Sequence, residues 1–136
     1  MRTNQELHQT HAEIARHLWN ATADGDGATL LEFFAPNVEW HSHGHNPVAR
    51  HIYGRVALLD YFALSADLVD DMKSDLLEVY SSERGAVIRY RVRASRGPKC
   101  LDGEVLLSLT IDNGLVTRAD VVPVEQKIHD AFWMLE

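Results

Sequence analysis

Three histidines stand at alternate positions in one short stretch, and their spacing is the feature of this sequence that most suggests chemistry. They are His41, His43 and His45, within the segment EWHSHGHNP. Alternate residues of an extended strand point to the same side, so as many as three imidazoles could share one surface. Such a surface could hold a metal ion, exchange protons with a ligand, or form a polar rim without chemistry.

A metal site is the first of these interpretations. Neutral imidazoles in a His-x-His pair lie on one face of a strand and can converge on zinc. A catalytic zinc needs a third ligand, which His45, His51 or a carboxylate could supply. Gly44 and the pair Asn46-Pro47 are typical of a strand end, however, so His45 need not stay aligned with the other two.

An acid/base role is the second interpretation, with His41 as the catalytic residue and His43 as a ligand-binding neighbour. Imidazole titrates near neutrality, with a pKa of about 6.5, which suits proton transfer at cellular pH. In this interpretation His41 faces the ligand. Trp40 points to the opposite side of the same strand, packs against helices and thereby anchors the strand. A hydrogen-bonded polar rim with no catalytic role is the alternative interpretation for His41, and it is the favoured interpretation for His43 and His45.

Asp120 is the second catalytic candidate, because it lies in the run TRADVVP among mostly apolar neighbours. A buried carboxylate without a partner is costly, so an acid in such a place is either paired or functional. Burial would raise its pKa and make it a useful base. Arg118 precedes it by two residues on the same face, so a plain ion pair is the alternative.

Four further residues are predicted to contact a ligand. Tyr53 and Tyr61 could donate hydrogen bonds to a developing oxyanion, although tyrosines at the edge of a core are the commoner case. Tyr90 and Leu107 lie on the apolar side of two alternating strands, and such walls suit an apolar or aromatic ligand with few polar anchors. The other side of the first strand carries Arg89, Arg91 and Arg93, for which neighbouring acids such as Glu104 and Glu78 are the expected partners.

Composition excludes several classes of function. The chain of 136 residues suits one domain spanning residues 1–136, and its net charge of −7 argues against nucleic acid and anionic membranes as partners. Cys100 is the single cysteine, which favours a reducing compartment. No long apolar run and no apolar leader is present, so the sequence predicts a soluble, cytoplasmic protein.

The elements that must position these residues follow an α+β order. Apolar periodicity predicts helices over 4–23, 27–35 and 54–70, with a short strand over 37–43 between the second and third. Four strands over 75–81, 86–96, 101–111 and 115–124 then form hairpins, and a short helix closes the chain. Consecutive hairpins curl, so we expect a cone-shaped antiparallel sheet with three N-terminal helices across one face and an internal pocket. Phe132 and Trp133 are expected to close its mouth or to contact a partner subunit.

An ordered set of short motifs resembles a known family. The segments LLEFFAPNVEWH, YG, ALLDYF, RVRA, LDG, DNGLVTRAD and DAFW follow one another over nearly the whole chain. Together they resemble the SnoaL-like family of the nuclear transport factor 2-like superfamily. The sequence departs from the family pattern directly after Trp40-His41, where Ser42-His43-Gly44 replaces the usual Pro-Gly.

The resemblance implies a cone-shaped α+β barrel, often a homodimer, with a ligand pocket between the helices and the concave sheet. The superfamily includes polyketide cyclases, ketosteroid isomerase, limonene epoxide hydrolase and scytalone dehydratase, together with binding domains that are not catalytic. Its enzymes mostly use pocket Asp, His and Tyr without a metal, and the SnoaL-like cyclases use an aspartate near the last strands, in the region of Asp120. The resemblance therefore favours a protein that uses neither a metal nor a cofactor.

These observations predict a small-molecule enzyme that works by cofactor-free acid/base catalysis, of the isomerase, cyclase or dehydratase type. Its substrate would be apolar and cyclic or polyketide-like, with Asp120 or His41 taking a proton next to a carbonyl. Epoxide opening by activated water would use the same kinds of residue. The alternative is a ligand-binding or dimerisation module of the same fold without catalysis.

Overall fold

The computed structural model describes residues 3–134, which form a six-stranded sheet with helices packed across it. The elements are, in chain order, α1 Asn4–Ala23, α2 Gly27–Phe33, β1 Phe34–Ser42, β2 His51–Tyr53, α3 Arg55–Asp67, β3 Asp71–Ser81, β4 Gly85–Arg96, β5 Lys99–Asp112, β6 Leu115–Pro123 and α4 Gln126–Trp133. The predicted α+β class is confirmed.

The first two helices begin where side chains cap them. Thr3 accepts a hydrogen bond from the Glu6 amide at 3.2 Å, and Asp26 accepts one from the Thr29 amide at 3.1 Å. The second helix ends at Phe33, two residues earlier than predicted, because residues before a proline favour extended backbone and Pro36 follows. No helix within residues 3–134 is both long and apolar enough to span a membrane.

The sheet has the order β2-β1-β6-β5-β4-β3. Its neighbouring strands are antiparallel except β1 and β6, which run parallel, so the prediction of a wholly antiparallel sheet was wrong. Hairpins set the direction of consecutive strands, whereas β1 and β6 are joined through the rest of the chain and are free to run parallel. Register shifts in three of the strand pairs bend the sheet into its curved form.

The predicted arrangement of three helices before the sheet is correct only in part. Two helices precede β1, and α3 lies between β2 and β3. The three-residue strand β2 was not predicted, because HIY is too short to show an alternating pattern. Its pairing with the end of β1 turns the chain back toward α3, which then packs on β1 and β2.

The core lies on one face of the sheet, in two clusters of buried residues. The larger cluster joins α1, α2 and α3 to the sheet through residues such as Leu18, Leu30, Leu58 and Ile88. The smaller cluster consists of Val92, Ala94, Leu101, Val105 and Phe132. We call the face of the sheet that packs against these helices the inner face, and the opposite face the outer face.

Helix α4 closes one end of the inner face, as expected for Phe132 and Trp133. Phe132 is buried in the smaller cluster, and Trp133 packs against it. Two basic side chains hold the C-terminal end of the helix, because Arg96 donates to the Phe132 carbonyl at 2.7 Å and Lys99 donates to the Ala131 carbonyl at 3.1 Å. Cations favour this end of a helix, where the last carbonyls lack partners.

Candidate functional site

The inner face gathers most of the residues that were predicted to bind a ligand. Trp40 and Leu107 belong to the larger cluster, and Tyr61 and Tyr90 pack against it. Trp40 makes an edge-to-face contact with Phe62 of α3, at 5.0 Å between ring centroids, which confirms that it points toward the helices. Tyr53 does not join them, because it lies on the outer side of β2 with 61% of its surface exposed.

Tyr90 is the most informative residue of this interior. Burial raises the pKa of its hydroxyl to about 12, so the group is protonated at neutral pH. Its ring lies 5.1 Å from the ring of Trp19, and it packs against both core clusters. Within the described part of the chain the side chain makes no hydrogen bond, yet it keeps accessible surface. The hydroxyl is therefore a polar group without a hydrogen-bond partner, set among the apolar side chains between the helices and the sheet.

Tyr61 forms a second polar position in the same interior. Its hydroxyl donates to the Val48 carbonyl at 2.6 Å, and burial raises its pKa. Ser42, Ser65 and Trp40 lie close enough to lower that pKa in part. Trp40 Nε1 and Ser65 Oγ are buried without a hydrogen-bond partner in residues 3–134. The interior thus has apolar walls and a few polar groups, which is the usual make-up of a small-molecule site.

His41 and Asp120 occupy the outer face, so the expectation that His41 looks into the cone was wrong. Trp40 and His41 point to opposite sides of β1, as predicted, but the helices and the interior are on the same side of the sheet. Trp40 therefore faces the interior and His41 faces away from it. Side chains also alternate along β6. Ala119 and Val121 pack on the inner face, so Asp120 between them points to the outer face.

Asp120 is an ion-paired carboxylate and does not have the raised pKa that burial was expected to cause. Arg118 donates two hydrogen bonds to it, at 3.0 and 3.2 Å, and these lower its pKa. A contact of 3.4 Å with His43 Nε2 adds to the effect. The Arg118–Asp120 pair that the sequence offered as the alternative is therefore the one observed.

Three imidazoles meet on the outer face, and we call His41, His43 and His51 the outer histidine cluster. The ring of His41 lies 4.4 Å from that of His51 and 6.3 Å from that of His43, and the last two are 5.7 Å apart. His41 is only 7% exposed, and burial lowers its pKa. The pairing of His41 with His43 on one face is confirmed, whereas the contribution of His51 depends on the strand that was not predicted.

His45 does not belong to this cluster, as the break in the strand pattern indicated. Its backbone amide donates to Asp130 on α4 at 2.9 Å, and its side chain is exposed. Among residues 3–134 no three His, Cys, Asp or Glu side chains are arranged to hold a metal ion.

The remainder of the outer face is a ladder of paired charges. Arg89 contacts Glu104 at 2.6 Å, as predicted, and Arg93 contacts Asp75 at 2.8 Å. Arg91 forms two hydrogen bonds with Asp102, at 2.8 and 2.6 Å. Each of these three arginines has an acidic partner on a neighbouring strand, so none of them forms an unpaired site for an anion.

Two interior residues were missed in the sequence. Trp19 and Ser65 were not among the residues predicted to contact a ligand. Their signal is weak, because a tryptophan on an amphipathic helix is usually a plain core residue. Only the contact with Tyr90, which comes from a strand far along the chain, gives Trp19 a place in the site.

Helices laid across the inner face of a curved six-stranded sheet define the nuclear transport factor 2-like class of α+β cones. A putative SnoaL-like polyketide cyclase from Jannaschia sp. CCS1 has this fold, with a TM-score of 0.80 over the whole of both chains and 11% sequence identity. The structure of Bal32a, from a soil-derived mobile gene cassette, is more similar. It superposes with a TM-score of 0.88 and 29% identity, covering 93% of this chain and 98% of that one.

The chain belongs to the SnoaL-like domain family, whose model matches residues 15–119. A relative from Mycobacterium tuberculosis (strain ATCC 25618 / H37Rv), uncharacterized protein Rv0034, is 34% identical over 125 residues. The match covers 89% of this chain and 94% of that protein. The resemblance that the motifs indicated is therefore confirmed at the level of the family.

Proposed function

We propose that this protein binds a small apolar cyclic or aromatic molecule that carries a carbonyl oxygen, in the interior between α1, α3 and the inner face. The observation that carries the proposal is the accessible, unbonded hydroxyl of Tyr90 beside the ring of Trp19. A hydroxyl whose pKa is about 12 stays protonated and donates a hydrogen bond to a ligand oxygen. Apolar neighbours such as Val121 and Leu76 exclude water and strengthen that bond.

A pair of matched probes tests the proposal. α-Tetralone is a bicyclic aromatic ketone, and tetralin is the same framework without the oxygen. Titrations that follow tryptophan fluorescence should show that tetralone binds more tightly, by about fivefold, because one hydrogen bond contributes roughly 1 kcal/mol. Tyr90→Phe should abolish that difference and leave tetralin binding intact.

Tyr53→Phe is the control, since it removes the hydroxyl of an exposed tyrosine on the outer side. It should bind both probes as the unmodified protein does. The proposal is wrong if neither probe binds, or if Tyr90→Phe retains the preference for tetralone.

Acid/base catalysis of the isomerase, cyclase or dehydratase type is the second candidate function, and the same hydroxyl favours it. A neutral tyrosine that donates to a carbonyl also stabilises the enolate formed when hydroxide from the solvent takes a proton from the neighbouring carbon and becomes water. That first step can be measured without knowing the natural substrate, as exchange of tetralone's protons in heavy water followed by NMR. Catalysed exchange that Tyr90→Phe removes supports an enzyme, and tight binding without exchange supports a binding module.

We also propose that the protein is a homodimer that pairs through the outer face. Exposed apolar side chains lie on or beside this face, namely Leu77, Val122, Val124 and Ile128. A twofold partner would cover them, since apolar surface of this kind commonly marks an interface. Light scattering at about 50 µM protein should give the mass of two chains, because association is favoured by concentration. A single-chain mass at that concentration contradicts the proposal.

A further inference from the structure

The segment between β1 and β2 links three parts of the molecule. We call residues 43–50 the strap, because this segment passes from the outer histidine cluster to α4 and back to α3. At α4, Asp130 accepts hydrogen bonds from the His45 amide at 2.9 Å and from Asn46 Nδ2 at 2.6 Å. Gly44 approaches Asp130 so closely that an added Cβ would lie 2.4 Å from its carboxylate.

The middle of the strap contacts the proposed ligand site through Tyr61. The Tyr61 hydroxyl donates to the Val48 carbonyl at 2.6 Å, and the same side chain packs against the larger core cluster. The strap is therefore bonded to α3 at the edge of the larger core cluster. If it moved away, the Tyr61 hydroxyl would lose its partner and the interior would open toward solvent.

Few backbone bonds hold the strap and β2 to β1. The Ser42 amide donates to the Arg50 carbonyl at 2.9 Å, and the Gly54 amide donates to the Val38 carbonyl at 2.8 Å. Between them β2 pairs with β1 over only three residues, and His51 lies directly opposite His41. An edge strand of this length has little pairing energy of its own, so side-chain contacts decide whether it stays in place.

On the outer face these side-chain contacts are made between imidazoles, whereas Ile52 packs against the larger core cluster on the inner face. His43 begins the strap, His51 follows its end, and the buried His41 lies between them, with ring separations of 4.4 to 6.3 Å. The other titratable or charged groups that face His41 are Glu39, Tyr53, Arg118 and Asp120. Asp120 is paired with Arg118, which leaves Glu39, at 3.9 Å from His41 Nε2, as the nearest free carboxylate.

We infer that the outer histidine cluster is an acid-sensitive hinge, whose protonation releases β2 and the strap from β1 and opens the interior. The neutral ring of His51 packs edge to face on those of His41 and His43 without repulsion. Two or three imidazolium ions at ring separations of 4.4 to 6.3 Å repel one another, the charge of Arg118 adds to the repulsion at His41, and a buried charge on His41 lacks a hydrogen-bond partner. Protonation therefore favours the arrangement in which the rings separate and the buried His41 reaches water.

Hydrogen exchange tests the hinge without any ligand. The Ser42 amide reports the bond that joins the ends of the strap, the Gly54 amide reports the bond that follows β2, and the Ile111 amide, which donates to the Arg84 carbonyl at 2.9 Å, is the distant reference. After correction for intrinsic exchange, protection at Ser42 and Gly54 should fall by roughly tenfold between about pH 7.5 and pH 5, because protons bind more tightly to the open arrangement than to the closed one. Protection at Ile111 should change far less.

Variants separate the cluster from general effects of acid. His51→Gln leaves an exposed neutral side chain in the cluster and should make the protection of Ser42 and Gly54 nearly independent of pH. His45→Gln is the matched control, because its side chain lies on the strap but outside the cluster, and it should keep the full response. The inference is overturned if the unmodified protein shows no pH dependence at these amides, or if His51→Gln responds as His45→Gln does.

The link to ligand entry rests on the proposed function, and a separate measurement tests it. Stopped-flow mixing with α-tetralone should give a faster association rate at about pH 5 than at pH 7.5, and His51→Gln should remove the difference. If tetralone does not bind at either pH, the proposed function fails while the exchange result stands. If it binds at rates that do not depend on pH, the hinge does not control access.

Discussion

His41 and Asp120 lie directly opposite each other on the parallel strands β1 and β6, on the face of the sheet that the helices leave uncovered. The two residues that the sequence offered as a catalytic pair are thus neighbours, but the sheet itself separates them from the interior that holds Tyr61 and Tyr90. This relationship divides the molecule into an inner face suited to a ligand and an outer face that carries most of the charge.

The first prediction concerns that division. Asp120→Asn should leave the dissociation constant for α-tetralone unchanged, because the carboxylate points away from the interior. Its partner Arg118 is 47% exposed, so loss of the ion pair should lower the free energy of unfolding by no more than about 1 kcal/mol. Fluorescence titration and urea denaturation measure the two effects. A loss of affinity beyond tenfold would contradict this placement and make Asp120 a candidate catalytic residue again.

Tyr61→Phe should destabilise the protein. The substitution removes the hydroxyl that donates to the Val48 carbonyl and leaves that acceptor without its partner. We expect the free energy of unfolding to fall by about 1–2 kcal/mol, the usual cost of such a loss. Tyr80→Phe, at an exposed tyrosine of β3, is the control and should change stability by less than about 0.5 kcal/mol. Equal effects of the two substitutions in urea denaturation would contradict the assignment.

Gly85→Ala should be severely destabilising. A Cβ at this position would lie 1.8 Å from the carbonyl oxygen of Leu109, so β4 and β5 would have to move apart. We expect a loss of more than about 3 kcal/mol, or failure to fold. Gly97→Ala is the comparison, because nothing lies within 4 Å of its added Cβ and only its φ of +58° is unfavourable. It should cost about 1 kcal/mol, and thermal melts of the two variants should differ clearly.

The stability of the protein should decline on the acid side of neutrality. Burial lowers the pKa of His129 below its ordinary value of 6.5, and its Nε2 is buried without a partner. The unfolded chain then binds more protons than the folded one at mildly acidic pH, so the free energy of unfolding falls as pH drops below 6.5 and is unaffected well above it.

His129→Gln should flatten this part of the pH profile, because glutamine does not titrate. His17→Gln, at an exposed position of α1, should leave the slope as it is. Urea denaturation at a series of pH values gives both profiles. A slope that His129→Gln does not reduce would show that other groups, such as His41, account for the acid sensitivity.

Local patterns in the sequence were sufficient to predict most of the fold. Helix α1 begins and ends at the predicted residues, since a cap at Thr3 and the turn at Asp24 mark its limits. Apolar and charged residues alternate strictly along β4. This pattern correctly predicted that Ile88, Tyr90 and Val92 lie on one face and the arginines on the other. These features depend on residues close together in the chain, where periodicity and turn chemistry act.

The candidate site could be predicted only in part, because its geometry depends on contacts between distant residues. The alternation of side chains along a strand predicts that Trp40 and His41 point to opposite faces of the sheet. It does not indicate which of the two faces the helices cover. The assignment of His41 to the interior placed the helices and the pocket on different sides of the sheet. Likewise, His51 joins His41 only through β2, and Trp19 joins Tyr90 only when α1 crosses the sheet.

The parallel pairing of β1 and β6 has a consequence for how the chain matures during synthesis. His43 and Asp120 are 77 residues apart in sequence, and β1 lies between β2 and β6 in the sheet. While the ribosome still holds the last strand, β1 has only the three-residue β2 as a partner, and one of its edges is unpaired. Such an edge is open to pairing with other chains. The nascent protein should therefore depend on rapid release, or on a chaperone that shields β1, until β6 emerges and the sheet is complete.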